Sequence, residues 1–214
     1  NDGALDLAVV GEWMPVRLLL NDRGQFVDVT TESGFGRSAG WINTIETGDF
    51  NNDGYTDIVT GNHGLNSRFK ATSEEPVSLY IDDFDQNGSV EHILTRYQEG
   101  KELPMVMRTD LVMQIPSLKK KYLRFSNYKN QTIKDIFLDE QLKSSLVLKA
   151  YDFSTAVWLN LGNGTFEKSE LPKEAQFSPV YTILVTDFDD DGNLDMLLGC
   201  LLYTSPSPRD RTRS

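Results

Sequence analysis

The stretch Asp187-Phe188-Asp189-Asp190-Asp191-Gly192-Asn193-Leu194-Asp195, followed by Met196-Leu197-Leu198-Gly199, decides how the chain is read. It places acids at positions 1, 3, 5 and 9, a glycine at position 6, and a short apolar run directly after. The pattern returns as Asp49-Phe50-Asn51-Asn52-Asp53-Gly54-Tyr55-Thr56-Asp57 before Ile58-Val59-Thr60-Gly61. It returns again as Asp83-Phe84-Asp85-Gln86-Asn87-Gly88-Ser89-Val90-Glu91 before His92-Ile93-Leu94-Thr95. A further copy lacks its first half: Asn1-Asp2-Gly3-Ala4-Leu5-Asp6 matches Asn52 to Asp57 and leads into Leu7-Ala8-Val9-Val10. Self-similarity of this kind marks a repeat architecture, and the chain is expected to start inside a repeat.

Each apolar run is short and partly β-branched, which predicts a strand after every acidic loop. Strands are also predicted before the complete loops, over Trp41 to Thr47, Val77 to Ile81 and Val180 to Thr186. A second unit recurs as Leu20-Asn21-Asp22-Arg23-Gly24-Gln25-Phe26 and Leu159-Asn160-Leu161-Gly162-Asn163-Gly164-Thr165-Phe166. Turn residues between apolar flanks make it a hairpin signal. Two hairpins per unit predict four-stranded units. The spacing from Asp49 to Asp83 is short, so the unit after Asp49 is expected to be reduced, with Gly61 to Asn66 as an irregular loop. The long gap before Asp187 predicts a small helical insert from about Pro104 to Leu148. Thr109, Thr132 and Asp139 stand there as N-caps, and Lys119 to Phe125 reads as helix.

Several carboxylates within nine residues repel one another at neutral pH, and a hard divalent cation relieves that repulsion most directly. Oxygen-only donors suit calcium or magnesium, and many side-chain donors with a backbone carbonyl favour calcium. The expected side-chain ligands are Asp49, Asn51, Asp53 and Asp57; Asp83, Asp85, Asn87 and Glu91; and Asp187, Asp189, Asp191 and Asp195. Tyr55, Ser89 and Asn193, at position 7, would give backbone carbonyls, and Asp2 and Asp6 belong to the incomplete copy. By charge count the Asp187 loop is expected to bind most tightly. An EF-hand opens in the same way but needs a bidentate Glu at position 12, where this chain has Thr60, Leu94 and Leu198.

The composition agrees with cations rather than polyanions as partners. The 214 residues carry 21 Lys and Arg against 32 Asp and Glu, a formal charge of −11. Such a surface repels a phosphate backbone, so nucleic acid is not expected as a partner. No apolar run reaches the length of a membrane helix. One cysteine, Cys200, excludes an intramolecular disulfide.

The stretches Asp49 to Gly61 and Asp187 to Gly199 resemble the calcium-loop half of FG-GAP or VCBS repeats, the units of integrin-alpha-like β-propellers. Gly61 to Lys70, Pro116 to Lys121 and Ala175 to Tyr181 resemble the bacterial VCBS-repeat proteins typical of Bacteroidetes, related to the cartilage acidic protein group. The resemblance covers about residues 1 to 199. It implies an all-β fold, here an incomplete β-propeller whose remaining blades belong to the intact chain. It also implies calcium at the loop positions above and an exported location: extracellular, cell-surface or periplasmic. The stretch 200–214 breaks the pattern, is basic and rich in Pro and Ser, and resembles translated sequencing-adapter read-through. It is expected to be a non-native or disordered tail.

A rigid blade scaffold presents its loops to a ligand, so adhesion to, or binding of, a glycan or protein is the expected function, with Arg68 and Lys70 as ligand contacts. The alternative is part of a propeller-based polysaccharide-degrading enzyme. Catalysis is not expected, because most acids are assigned to the loops, the histidines number only two, and no nucleophile elbow or zinc motif stands in the sequence. His63 and His92 read as ordinary polar residues. Trp13, Trp41 and Trp158 read as packing between blades. The Lys119 to Arg124 cluster reads as a solvated face.

Overall fold

A strand forms on each side of every complete acidic loop, because the loop glycine and its neighbours reverse the chain while the flanks are apolar and β-branched. The computed structural model describes residues 3–200. In chain order the first strands are β1 (Leu7–Val9), β2 (Arg17–Asp22), β3 (Gln25–Asp28), β4 (Thr44–Gly48) and β5 (Asp57–Gly61). Then come β6 (Val77–Asp82), β7 (Glu91–Gln98) and β8 (Lys101–Pro104), followed by α1 (Arg108–Gln114), α2 (Phe125–Tyr128), α3 (Ile133–Ile136) and α4 (Asp139–Ser144). The chain returns through β9 (Leu146–Ala150), β10 (Ala156–Asn160), β11 (Phe166–Glu170), β12 (Thr182–Thr186) and β13 (Asp195–Gly199). The fold is all-β, strands in antiparallel sheets with a few short helices, and the sheets do not close into a ring among the described residues.

The sheets have the orders β1-β2-β3, β11-β10-β5-β4, β8-β7-β6-β9 and β12-β13. The expectation of a reduced unit after Asp49 is corrected by the second of these. The partner of β5 is β10, with Trp158 opposite Ile58 and Ala156 opposite Thr60. The unit is a full four-stranded antiparallel sheet interrupted by residues 62–155. Nothing in the local sequence of β5 shows that its neighbour lies beyond a long excursion. The Asp83 loop belongs to that excursion: it joins β6 to β7 in the sheet β8-β7-β6-β9, which has a helical layer and a core of its own. Phe84, Ile93, Leu111, Ile115, Tyr122 and Ile133 fill that core.

The helices lie between β8 and β9, but their ends differ from the expected ones. Thr132 caps α3 with a reciprocal capping box to Asp135, as the T-x-x-D spacing predicts. Thr109 sits inside α1 after the N-cap Met107, and Asp139 is the first residue of α4 after the N-cap Leu138. Lys119 to Phe125 is not a helix: a 3-10 turn ends at Lys119, and α2 starts at Phe125. Trp41 is likewise outside β4 and forms an isolated bridge with Glu12.

Sheet β1-β2-β3 packs on β11-β10-β5-β4 through Val16, Leu18, Phe35, Ile42, Ile58 and Trp158. Phe35 is fully buried, with ring centroids of Trp158 and Phe166 each 5.0 Å away. On the other face Val59, Val157, Val180 and Ile183 join the same sheet to β12-β13. The hairpin of β2 and β3 turns through Arg23 and Gly24, with φ of 52° and 89°. Two consecutive positive values give the turn that suits strand twist, and glycine takes the second without strain. Asp2 and residues 201–214 lie outside the described residues.

Candidate metal centre

The three complete loops share one hydrogen-bonding scheme. Position 1 caps the turn with both carboxylate oxygens: Asp49 accepts from the backbone N–H groups of Asp53 (3.1 Å) and Gly54 (2.9 Å). Asp83 accepts from Asn87 (2.9 Å) and Gly88 (2.8 Å), and Asp187 from Asp191 (3.1 Å) and Gly192 (2.8 Å). Position 9 closes the loop by accepting from position 2: Asp57 from Phe50, Glu91 from Phe84 and Asp195 from Phe188, each at 2.9 Å. Position 5 accepts from position 7, as in Asp53 with Tyr55, Asn87 with Ser89 and Asp191 with Asn193. The glycine at position 6 has φ of 87°, 88° and 87°, a region open to glycine and costly to other residues.

This scheme draws the acids together. Asp83, Asp85 and Glu91 have ligand oxygens within 4.8 Å of one another, as do Asp187, Asp189 and Asp195. In the Asp49 loop an amide, Asn51, stands at position 3. Its Oδ1 accepts from Asp53 N–H and its Nδ2 donates to Asp53 Oδ2. Asp191 lies outside the converging group of its loop, and the bonds it accepts from Asn193 hold its carboxyl below the ordinary carboxylate range. Asp6 is exposed, and its Oδ1 accepts from Asn21 N–H at 2.9 Å.

The Asp83 group is the most enclosed. Glu91 is 5% exposed, and burial, with Asp85, Asp83 and Asp82 nearby, pushes its carboxyl up against the bond from Phe84 N–H. The Oδ1 of Asp85 is buried without a hydrogen-bond partner. A buried carboxylate oxygen with no donor carries the full desolvation cost of that group unless a cation meets it. The helical layer steadies this loop: Gln141 Nε2 donates to the Phe84 carbonyl at 2.8 Å, and Ser144 Oγ to Asp82 at 3.1 Å.

Two of the loops touch. Asn52 Nδ2, in the Asp49 loop, donates to Asn193 Oδ1, in the Asp187 loop, at 2.6 Å, and Asn193 Nδ2 donates to Asp191 at 3.0 Å. The model of the FG-GAP-like repeat family matches residues 1–60, and that of the FG-GAP repeat matches residues 42–80. The chain carries FG-GAP repeats. The Asp187 loop lies beyond the matched residues and repeats the hydrogen bonds of the Asp49 loop, which lies within them. No curated protein matches the chain.

Two residues that the loop pattern alone does not disclose hold the loops in place. Asn21 and Asn160 open the recurring hairpins, and each grips the end of an acidic loop from the neighbouring strand. Asn160 donates its backbone N–H to Asp57 Oδ1 at 2.7 Å and its Nδ2 to the Thr56 carbonyl at 3.1 Å. Asn21 does the same to Asp6 at 2.9 Å and to the Leu5 carbonyl at 3.1 Å. The signal for this was present in the sequence as the repeated Leu-Asn pair.

Arg68 and Lys70 sit far along the chain direction from the acidic loop, on the segment that follows the other end of β5. The Arg68 guanidinium lies 5.1 Å from the Phe69 ring centroid, and Lys70 Nζ donates to the Leu65 carbonyl. Trp41 packs edge-on against Trp13, His63, Phe69 and Phe153 in one aromatic cluster. Burial pulls the His63 imidazole below its ordinary value, opposed by Glu12. His92 is exposed on β7. Trp158 is buried against Phe35, between two sheets as expected.

Proposed function

We propose that this FG-GAP chain is a calcium-binding propeller-type scaffold of an exported protein, non-catalytic, which presents loops to a glycan or protein ligand. The observation that carries the calcium reading is the unpartnered, buried Oδ1 of Asp85 within the Asp83, Asp85 and Glu91 group. Three converging acids, of which Asp83 and Glu91 are held by backbone N–H groups while Asp85 keeps a buried oxygen unsatisfied, match what a hard cation requires. The second converging group, at Asp187, Asp189 and Asp195, supports the same reading. The Asp49 loop carries as many acids as the Asp83 loop, but Asn51 takes position 3 and both oxygens of Asp57 already accept backbone N–H groups, so Asp49, Asp53 and Asp57 with the Tyr55 carbonyl form the weakest of the three sites.

Bound calcium would neutralise the loop charge, and the side chains at positions 1, 3 and 9 of the Asp83 and Asp187 loops would hold it. The chain's own residues preorganise that arrangement through the position 2, 5 and 6 amides. A ligand would meet the opposite ends of the strands, where Arg68 stands exposed on Phe69. No described helix is long and apolar enough to cross a membrane.

The test is calorimetric titration of chelator-stripped chain with calcium, together with thermal melts. Saturable heat and a higher Tm are expected, since a ligand at a hundred times its Kd adds about 2.7 kcal/mol to stability. Absence of heat with an unchanged Tm overturns the calcium reading. A glycan array probed with and without chelator tests adhesion: retained intact sugar supports it, and released products overturn the non-catalytic assignment.

A further inference from the structure

We infer that the helical layer between β8 and β9 docks on an anionic lipid surface, through a corner where Met107, Leu123 and Phe125 stand among lysines and an arginine. The formal charge of −11 conceals a segregation. Five of the eleven residues 119–129 are Lys or Arg and none is Asp or Glu, while Asp110 is the one acid in the stretch 105–134 against seven Lys and Arg. On an otherwise acidic chain, such a concentration turns this layer toward a negative surface. The acidic loops stand apart from it. Gln114, at the far end of α1, lines a shallow cavity with Asn87 and Ser89 of the Asp83 loop, so about 10 Å of helix separates that loop from the basic corner.

Three hydrogen bonds assemble the corner. At the start of α1 the Arg108 guanidinium donates to the Tyr122 carbonyl at 2.5 Å and to the Leu123 carbonyl at 3.0 Å. Tyr128 Oη donates to the Val106 carbonyl at 2.8 Å, which sets α2 against the same end of α1. Tyr122 and Tyr128 are buried in the core of the layer, with ring centroids 5.5 Å apart and edge to face. They fix the backbone on either side of Leu123 and Phe125, yet those side chains stay outside at 70% and 62% exposure, and Met107 at 64%. One exposed leucine is ordinary on a protein surface. Three large apolar side chains at a single corner, interleaved with charge, mark an interaction surface.

The charges at this corner are not spent inside the protein. Lys119, Lys120, Arg124 and Lys129 are exposed, and none takes part in an ion pair among the described residues. Lys121 donates to the Asp135 carbonyl, and the Asp135 carboxylate is committed to the capping box with Thr132. The apolar residues decide which negative partner fits. A soluble polyanion is met by charge and leaves Met107 and Leu123 in water, whereas a bilayer takes them into its acyl boundary while the lysines remain among the headgroup phosphates. Both α1 and α2 are too short to lie flat as an amphipathic helix, so the contact is made by a rigid corner.

The test is co-flotation of the full chain with vesicles of phosphatidylglycerol and phosphatidylcholine in equal parts, in chelator. Without calcium no ion can bridge the acidic loops to lipid, so this result is independent of the calcium reading. Flotation with the mixed vesicles and none with phosphatidylcholine alone is expected, with hydrogen exchange slowed at residues 119–129. Leu123→Ser together with Phe125→Ser should weaken binding about tenfold. Lys119→Gln together with Lys120→Gln should weaken it about twentyfold, at roughly fivefold for each charge near an anionic surface. Lys149→Gln together with Lys173→Gln, exposed elsewhere on the chain, should leave it unchanged. All six side chains are exposed, and thermal melts confirm that each variant folds. Absence of flotation by folded chain, or equal flotation with phosphatidylcholine alone, would overturn the proposal. So would binding that falls with the glutamine pair but not with the serine pair, which is how a site for a soluble polyanion behaves. Protection of residues 119–129 by self-association without vesicles would assign the corner to a second copy instead.

Discussion

Asn160 hydrogen-bonds Asp57 through its backbone N–H at 2.7 Å although 103 residues separate them, and the same asparagine holds the Thr56 carbonyl through Nδ2. The acidic loop and the hairpin beyond residues 62–155 are thus one unit, closed by a single residue that touches both. The carboxylate of Asp57, fully buried, depends on two backbone donors, Phe50 from its own loop and Asn160 from the neighbouring strand.

Asn160→Ala keeps the backbone donor and removes the grip on Thr56, along with the turn bond that Gly162 N–H donates to Asn160 Oδ1. A loss of about 1–2 kcal/mol is expected, the sum of two modest hydrogen bonds, with Asn21→Ala matching it because Asn21 Oδ1 accepts from Gly24 N–H in the same way. Equilibrium denaturation in urea measures both. If the two substitutions differ by several kcal/mol, the clasps are not equivalent.

How far the sequence reaches is clearest at β5 and β13. Both strands were legible from a glycine-terminated acidic turn followed by an apolar run, because turn chemistry and strand pattern are local properties. The partner of β5 was not, since neighbours in sequence usually pair and β6 presents an equally good acidic hairpin that in fact opens a separate sheet. Helix ends at Met107 and Leu138 were missed because neither side chain caps the helix and short helices take their limits from packing. At the site, the spacing of the acids points to the convergence of positions 1, 3 and 9 that the Asp83 and Asp187 loops show. The retreat of Asp191 and the arrival of Asn160 were not, because each depends on a partner fixed only by folding.

Phe35 lies in a loop, not a strand, yet it is the keystone between the first two sheets, enclosed by Trp158 and Phe166. Phe35→Ala should cost about 3–5 kcal/mol, as for other buried phenylalanines. Phe26→Ala, on the exposed strand β3 at 54% accessibility, should change stability by less than about 0.5 kcal/mol. Thermal and urea unfolding of the two variants tests the assignment; comparable losses would contradict it.

Acid should weaken the fold in two separate windows. The imidazole of His63 is held below its ordinary value of 6.5 by burial, so the unfolded chain takes up the proton first. The stability it confers is complete above pH 6.5 and declines as the pH falls from there to the lowered value. Asp28 is held at about 2 by hydrogen bonds from Thr30 and Arg17. Its share is present above the ordinary carboxylate range and disappears as the pH falls through about 2. Melts from pH 8 to pH 2 should show His63→Phe flattening the first decline and Asp28→Asn the second. An unchanged profile in His63→Phe would remove the histidine from the first window.

The contact between Asn52 and Asn193 makes the Asp49 and Asp187 loops partners rather than independent sites. Asn193 accepts from Asn52 and donates to Asp191, so an ion that orders one loop limits the conformations open to the other. On the calcium reading, the Asp187 loop, with the larger charge, fills first and raises the affinity of the Asp49 loop. Asn193→Ala leaves every side-chain ligand in place and breaks the link. Calorimetric titration of the full chain should then show the weaker site losing affinity by about fivefold, the low end of ordinary coupling, while the stronger site changes less. Asp187→Asn should abolish the strong site and weaken the other to the level seen in Asn193→Ala. Two sites that respond identically in wild type and Asn193→Ala would show that the loops, though touching, bind independently.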